Sequence, residues 1–311
     1  MNMFRSGIAG YVPKPALRAL STTAAVAVLA ASPSPAPAAP GGIDASARDG
    51  IVRRAAELPR LHALIVAHRG HEVIARAFRG PGLDTPVNIK SVSKSVISAL
   101  AGIAIARGLI GGVDQPIVAL LGPMVPKAAS PRLRTVTLGH LLSMRSGLER
   151  TSGVSYGRWV ASRDWVADAL SRPFVAEPGG RMLYSTGNTH IVSALLTRVS
   201  GRSTHALARD WLARPLGVDI PPWDRDPKGI YFGGNNMLMS PRALLRFGEL
   251  YRAGGVYDGR RVLSEQWIRQ SWTPYAVSPW SGDSYGYGWF VTESCGAPLY
   301  YARGFGGQFV Y

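Results

Sequence analysis

Ser91 and Lys94 stand three residues apart in Asn88-Ile89-Lys90-Ser91-Val92-Ser93-Lys94-Ser95-Val96-Ile97, where a polar approach runs into an apolar, Ala-rich stretch reaching about Arg107. Residues i and i+3 are neighbours on a helix surface, so the spacing puts both side chains on one face, one turn apart. A serine hydroxyl at a helix start sits where unpaired N–H groups and the helix dipole favour developing negative charge. It becomes a nucleophile at neutral pH only beside a base, and a lysine is that base once burial lowers its pKa. Taken alone, Ser-x-x-Lys also describes a capping serine followed by a solvated lysine. Two features favour chemistry: the chain has 5 lysines against 30 arginines, and Lys94 alone has serine three positions earlier. Arginine, always protonated, cannot act as the base.

The elements that must position this pair read as α+β. Ser46 to Leu58 has helical periodicity and stops before Pro59, while Leu61 to Ala67 and Glu72 to Phe78 are strand-like runs joined by His68-Arg69-Gly70-His71. His68 and His71 there read as surface residues of a hairpin turn, not metal ligands. Helical pieces joined by loops follow. Thr137 is a cap and Gly147 a stop for one of them, Asp164 to Ser171 forms another, and Thr189 to Val199 is an apolar helix ended by Gly201. Short aromatic strands return at Tyr285 to Thr292, Leu299 to Ala302 and Phe309 to Tyr311. The expected architecture is an antiparallel sheet of N- and C-terminal strands flanked by helices, with a mostly helical insertion over about 80–270. An apolar strand ending at Val310-Tyr311 would leave an unpaired sheet edge, so the chain is expected to continue beyond Tyr311.

Composition narrows the function. The chain has 311 residues, enough for a sizeable core, and a formal net charge of +16. The excess is arginine scattered singly, without the basic block or aromatic interleaving of a nucleic-acid groove. Attraction to anionic substrates, cell-wall polymer or a lipid surface stays open. The one cysteine, Cys295, excludes an intramolecular disulfide and a Cys-based zinc site. At the N-terminus, Arg5, Lys14 and Arg18 precede an apolar run from Ala19 to Ala31 and an Ala36-Pro37-Ala38 cleavage pattern. Residues 1–38 are thus expected to be an export signal and 39–45 a flexible leader. The apolar run is too short to span a bilayer.

Four motifs then occur in order: Ser91-Val92-Ser93-Lys94; Leu141-Leu142-Ser143-Met144-Arg145-Ser146-Gly147-Leu148; Glu177-Pro178-Gly179 before Tyr184-Ser185-Thr186; and Tyr285-Gly286-Tyr287-Gly288-Trp289 before Gly304-Phe305-Gly306-Gly307-Gln308. In this set the chain, from residue 46 to 311, resembles the serine β-lactamase-like hydrolases of the class C type. That group includes class C β-lactamases, D-alanyl-D-alanine carboxypeptidases, family VIII esterases and 6-aminohexanoate-dimer hydrolases. The resemblance implies a β-lactamase/transpeptidase-like fold and a reaction without metal or organic cofactor. It implies Ser91 as the acylated nucleophile, Lys94 and Tyr184 as the proton-handling pair, and the backbone N–H groups of Ser91 and Phe305 as the oxyanion hole. Gly304, Gly306 and Gly307 would let that strand approach substrate closely.

Two motifs depart from the pattern. Tyr184-Ser185-Thr186 stands where class C enzymes have Tyr-x-Asn, with Asn188 two residues on, and Ala302-Arg303-Gly304 stands where they have Lys or His-Thr-Gly. Thr186, Asn188, Arg303 and Gly304 are the candidate substrate-binding residues. The variants are more similar to the esterase and nylon-oligomer-hydrolase branch, which implies an enzyme acting on a small ester or linear amide; export is expected from residues 1–38. Carboxypeptidase or β-lactamase activity on cell-wall peptide or penicillin is the alternative, and a non-catalytic cell-wall or penicillin-binding module a further one. A different hydrolase fold would fit Gly-x-Ser-x-Gly at Gly153 to Gly157 or Gly282 to Gly286. That motif demands a preceding strand and following helix, with Asp and His downstream.

Overall fold

The computed structural model describes residues 43–311; the expected export signal and most of the expected leader lie outside the described residues. Asp44 accepts the Ala47 N–H at 2.8 Å and starts α1 (Ala45–Glu57), close to the expected helix. Strands β1 (Ala63–His68) and β2 (His71–Ala77) form the expected hairpin, His68 opposite His71 across the Arg69-Gly70 turn. A two-residue strand β3 (Val87–Asn88) and a 3₁₀ turn Lys90–Val92 lead into α2 (Ser93–Ala106).

Helix α2 is the centre of the molecule. Every residue from Ser93 to Ala104 is buried, because apart from Lys94 the stretch is apolar or small all round and has no face to offer water. Gly102 lets a neighbour sit directly on the helix: a Cβ there would lie 2.4 Å from the Trp267 ring. Around α2 come α3 (Ile117–Leu121), α4 (Leu138–Leu142), α5 (Tyr156–Val160), α6 (Trp165–Leu170), α7 (Thr186–Ser200), α8 (Thr204–Ala208) and α9 (Arg214–Leu216). They are followed by β4 (Leu238–Met239), paired with β3, and by α10 (Pro241–Arg252), capped by Ser240. The short ladder β5 (Val256–Tyr257) with β6 (Arg260–Arg261) and then α11 (Glu265–Trp272) complete the helical region expected between the strands.

The C-terminal strands β7 (Ala276–Val277), β8 (Ser284–Tyr285), β9 (Phe290–Ser294), β10 (Ala297–Gly304) and β11 (Gln308–Val310) form an antiparallel sheet in the order β11-β10-β9-β8-β7. Three expectations are corrected. Among the described residues the N-terminal hairpin forms its own ladder instead of joining this sheet; β1 and β11 each pack on α10 and do not pair with each other. The expected strand from Tyr285 to Thr292 is two strands, because Gly286 to Trp289 is the turn between them, closed by Gly286 N–H to Trp289 O at 2.8 Å. Helix α4 starts at Thr137 as expected, in a reciprocal cap with His140, but ends before Met144, whose φ is 61°. Gly147 serves packing instead: a Cβ there would lie 2.5 Å from the Ala176 carbonyl.

Candidate functional site

Ser91 occupies the 3₁₀ turn immediately before α2, and Lys94 lies in the helix's first turn. The turn is shaped by Lys90, whose φ of 50° is a left-handed conformation that a side chain disfavours. It is held there by its N–H on Asn88 Oδ1 (2.8 Å) and by the Ser93 hydroxyl on its carbonyl (2.6 Å). Strained backbone of this kind persists only when its surroundings over-determine it.

Lys94 Nζ is 3.0 Å from Ser91 Oγ, 3.4 Å from Thr186 Oγ1 and 2.6 Å from the Gly234 carbonyl oxygen, and it lies 5.0 Å from the centre of the Tyr184 ring. The side chain is buried, and burial pulls its pKa down to about 7. A lysine in that range is substantially neutral near pH 7 and able to take a proton. Burial pushes the Tyr184 phenol up to about 12, against a hydrogen bond with Ser91 and the positive charge of Arg303, which both act downward. Tyr184 is therefore protonated across the neutral range and placed to donate. The structure brings Ser91, Lys94, Tyr184 and Thr186 together.

Strand β10 passes beside the Ser91 turn. Gly304 makes this possible, since a Cβ there would lie 2.6 Å from the Ile89 carbonyl oxygen. Phe305 follows at the strand's end with its side chain 86% exposed. Ser91, Tyr184, Arg303, Gly304 and Phe305 all line one groove of about 600 Å³. Its walls are aromatic, from Trp280, Phe290 and Phe309 as well as Tyr184 and Phe305, and among the described residues no Asp or Glu lines it. Arg150 lies over the Trp280 ring and Arg303 over the Phe309 ring, each 5.8 Å from the ring centre.

Asn188 is not brought to the groove. It is buried on α7, where Ser146 donates to its Oδ1 at 3.1 Å. Two residues, a little over half a helical turn, separate it from Thr186, so it faces the opposite side of α7.

Ser152 and Arg150 were not singled out from the sequence, although both line the groove. The Ser152 hydroxyl is 2.9 Å from Thr186 Oγ1 and accepts the Thr186 N–H at 2.8 Å, while Thr151 Oγ1 accepts the Gly187 N–H at 2.7 Å. The first N–H groups of α7 are thus capped by residues 34 to 36 positions upstream. No local spacing signals such a cap. It also explains why α7 begins at Thr186, earlier than the apolar run from Thr189 suggests. The competing Gly-x-Ser-x-Gly sites lack their elbow: Ser155 ends a 3₁₀ turn and Ser284 begins a two-residue strand. Among the described residues no group of three or more His, Cys, Asp or Glu is gathered for a metal, and no helix is long and apolar enough to cross a membrane.

Residues 54–311 match the beta-lactamase family. The chain belongs to that family of hydrolases. Its fold is shared by solved structures at low identity. The octameric penicillin-binding protein homologue of Pyrococcus abyssi is 19% identical with a TM-score of 0.68, the match covering 86% of this chain and 69% of that one. A protein assigned as a 6-aminohexanoate-dimer hydrolase, from Bacillus anthracis, is 18% identical with a TM-score of 0.63, covering 80% and 69%. EstCE1, a hydrolase with promiscuous acyltransferase activity, is 18% identical with a TM-score of 0.62, covering 79% and 82%. The β-lactamase/transpeptidase-like fold expected from the four motifs is therefore the one observed.

Proposed function

We propose that this beta-lactamase-family protein is an exported serine hydrolase that cleaves a small ester or linear amide through an acyl-Ser91 intermediate. The observation that carries the reading is the 3.0 Å separation of Ser91 Oγ from a buried Lys94 amine whose pKa is drawn down to about 7. Ser91 Oγ attacks the substrate carbonyl carbon as its proton passes to the neutral Lys94 amine. The oxygen of the tetrahedral intermediate accepts from the N–H groups of Ser91 and Phe305. As that intermediate collapses, the bond to the leaving group breaks and the Tyr184 phenol supplies the proton the alcohol or amine needs, to be re-protonated from Lys94. Water then attacks the acyl-enzyme ester by the reverse path, releasing the acid and restoring the Ser91 hydroxyl.

The groove supports a finer statement about substrate. Aromatic walls suit an apolar acyl or leaving group, and the guanidinium groups of Arg150 and Arg303, with no lining carboxylate, favour a substrate that carries negative charge. Export rests on the pattern in residues 1–38. The deciding experiment treats the protein with a fluorophosphonate and reads intact mass and peptide maps, with Ser91→Ala as control. A stoichiometric adduct on Ser91 is the expected result. No adduct on folded protein, or an adduct on Ser155 or Ser284, overturns the reading.

A further inference from the structure

His190 and Asp226 form a fully buried pair, Nε2 to Oδ2 3.0 Å, that takes no part in the reaction just described. The rings of Trp159, Trp165 and Phe232 surround His190 with centres 5.8, 5.4 and 5.8 Å away, an apolar setting. The pattern of partners fixes the imidazole's tautomer. His190 Nδ1 accepts the Gly233 N–H at 3.4 Å, so the ring proton is on Nε2 and is donated to Asp226. Asp226 is itself oriented, because its Oδ1 accepts the Lys228 and Ile230 N–H groups at 2.9 and 2.8 Å.

The residue after Gly233 is Gly234, whose carbonyl oxygen is 2.6 Å from Lys94 Nζ. Both glycines are pressed on α7: a Cβ would lie 2.2 Å from the Thr189 carbonyl at Gly233 and 2.4 Å from Thr189 Oγ1 at Gly234. The Gly233 N–H and the Gly234 carbonyl belong to different peptide units, so the His190 bond anchors one end of a two-glycine segment, pressed on α7, whose other end presents the carbonyl to Lys94. His190 also follows Thr186 by four residues on α7, so two of the three partners of the Lys94 amine, Thr186 Oγ1 and Gly234 O, are set by the same face of one helix.

We infer that His190 and Asp226 are positioning residues for Lys94: Asp226 fixes the His190 tautomer, His190 anchors the Gly233 N–H, and the Gly234 carbonyl so oriented holds the amine against Ser91. The inference rests on the serine-hydrolase reading for its consequence, though not for its geometry.

Asp226→Asn tests it. The side chain is isosteric, and its oxygen must stay on the Lys228 and Ile230 N–H groups, so its NH₂ faces His190 Nε2. The imidazole proton is then driven to Nδ1, where it opposes the Gly233 N–H, and the Gly234 carbonyl turns from Lys94. An ammonium loses more than a neutral amine when a carbonyl acceptor leaves, so the pKa of Lys94 falls further. Among the described residues the titratable group in contact with Lys94 is Tyr184, and Lys94 is one of 5 lysines, so its ¹³Cε signal can be followed directly.

In wild type, ring ¹⁵N shifts should place the proton on His190 Nε2; in Asp226→Asn they should place it on Nδ1, with the Lys94 titration moved down by about one pH unit. Hydrolysis should lose on the order of a hundredfold in kcat with KM little changed, as expected for a misplaced reacting group. Should Asp226→Asn fail to fold, His190→Gln keeps the donor to Asp226 while removing the acceptor for Gly233, and the same Lys94 shift is expected. A wild-type proton on Nδ1, or a Lys94 titration that stays or moves up in the folded variants, overturns the inference. Absence of a Ser91 adduct would overturn the hydrolase reading instead, and the two nuclear magnetic resonance titrations still decide the positioning.

Discussion

Thr186 Oγ1 stands 3.4 Å from Lys94 Nζ, in the motif position where class C enzymes carry an asparagine amide. An amide has two N–H donors besides its carbonyl oxygen, whereas the Thr186 hydroxyl, which accepts from Lys94, has one O–H to donate and is shared with Ser152 at 2.9 Å. The polar chain Ser91, Lys94, Thr186, Ser152 is therefore continuous from the nucleophile to the groove wall. Thr186→Ala should lower kcat about tenfold with KM nearly unchanged, the loss of one hydrogen bond of about 1 kcal/mol or slightly more. Thr186→Ser should retain most of the activity. Steady-state kinetics on one short-chain ester decides it; equal loss in the Ser and Ala variants would mean the methyl group's packing matters and the hydroxyl does not.

The contrast between Ser91 and Ser152 shows what the sequence could and could not disclose. The Ser91 to Lys94 pair is local, so helical spacing alone places it, and the caps at Asp44, Thr137 and Ser240 are equally local. Ser152 acts on Thr186 from 34 residues away, and Gly234 on Lys94 from 140, so neither has a periodicity to betray it. Asn188 was a reasonable candidate by its closeness to Tyr184 in the chain. Helix α7 turns it into the core, where residue i+2 faces away from residue i. The strand from Tyr285 was split for a similar reason: Gly288 takes a φ of 84° with Ser95 against it, and alternation of residue types does not reveal that contact.

Turnover should follow the protonation of Lys94. Its pKa is drawn down to about 7, so kcat/KM should rise with pH as the amine loses its proton around that value, and be lost below it. Tyr184, pushed up to about 12, stays protonated and should give no falling limb at moderately alkaline pH. A pH–rate profile of fluorophosphonate labelling reads both. Lys94→Arg, which cannot lose its proton, should be inactive at every pH; labelling of that variant at the wild-type rate would sink the base assignment.

The same lysine should impose a pH dependence on stability. A folded-state pKa of about 7 against an ordinary value of 10.5 means that the unfolded chain binds more protons between those limits, so stability rises with pH across that window. Lys94→Met removes the effect. The melting temperature of Lys94→Met minus that of wild type should accordingly be largest near pH 6 and shrink as pH approaches 10. A difference independent of pH would show that Lys94 titrates normally.

Arg150 and Arg303 should govern selectivity more than rate. Both line the groove, each resting on an aromatic ring of its wall. Replacing either with alanine should lower kcat/KM for a nitrophenyl half-ester bearing a free carboxylate by about two- to fivefold, the scale of one solvent-exposed charge pair. The neutral butyrate ester should be nearly unaffected, and added salt should narrow the wild-type preference. Equal losses on the charged and neutral esters would refute an electrostatic role.

Gly304 offers the sharpest test of how the site is assembled. The oxyanion role proposed for the Phe305 N–H depends on β10 running close to the Ser91 turn, and that closeness is set where Gly304 meets the Ile89 carbonyl, two residues before the nucleophile. A Cβ at Gly304 would lie 2.6 Å from that oxygen, with Gln308 on its other side at 2.9 Å, so the strand must move out. The core should tolerate this, because β10 remains bonded to β9 from Ala297 to Tyr301. Gly304→Ala is therefore expected to keep a cooperative melting transition while losing roughly 10²–10³ in kcat, the cost of one oxyanion-hole donor. Gly157→Ala, at a helical position with nothing within 4 Å, is the control and should leave kcat unchanged. Full activity in Gly304→Ala would place the second oxyanion donor somewhere other than Phe305.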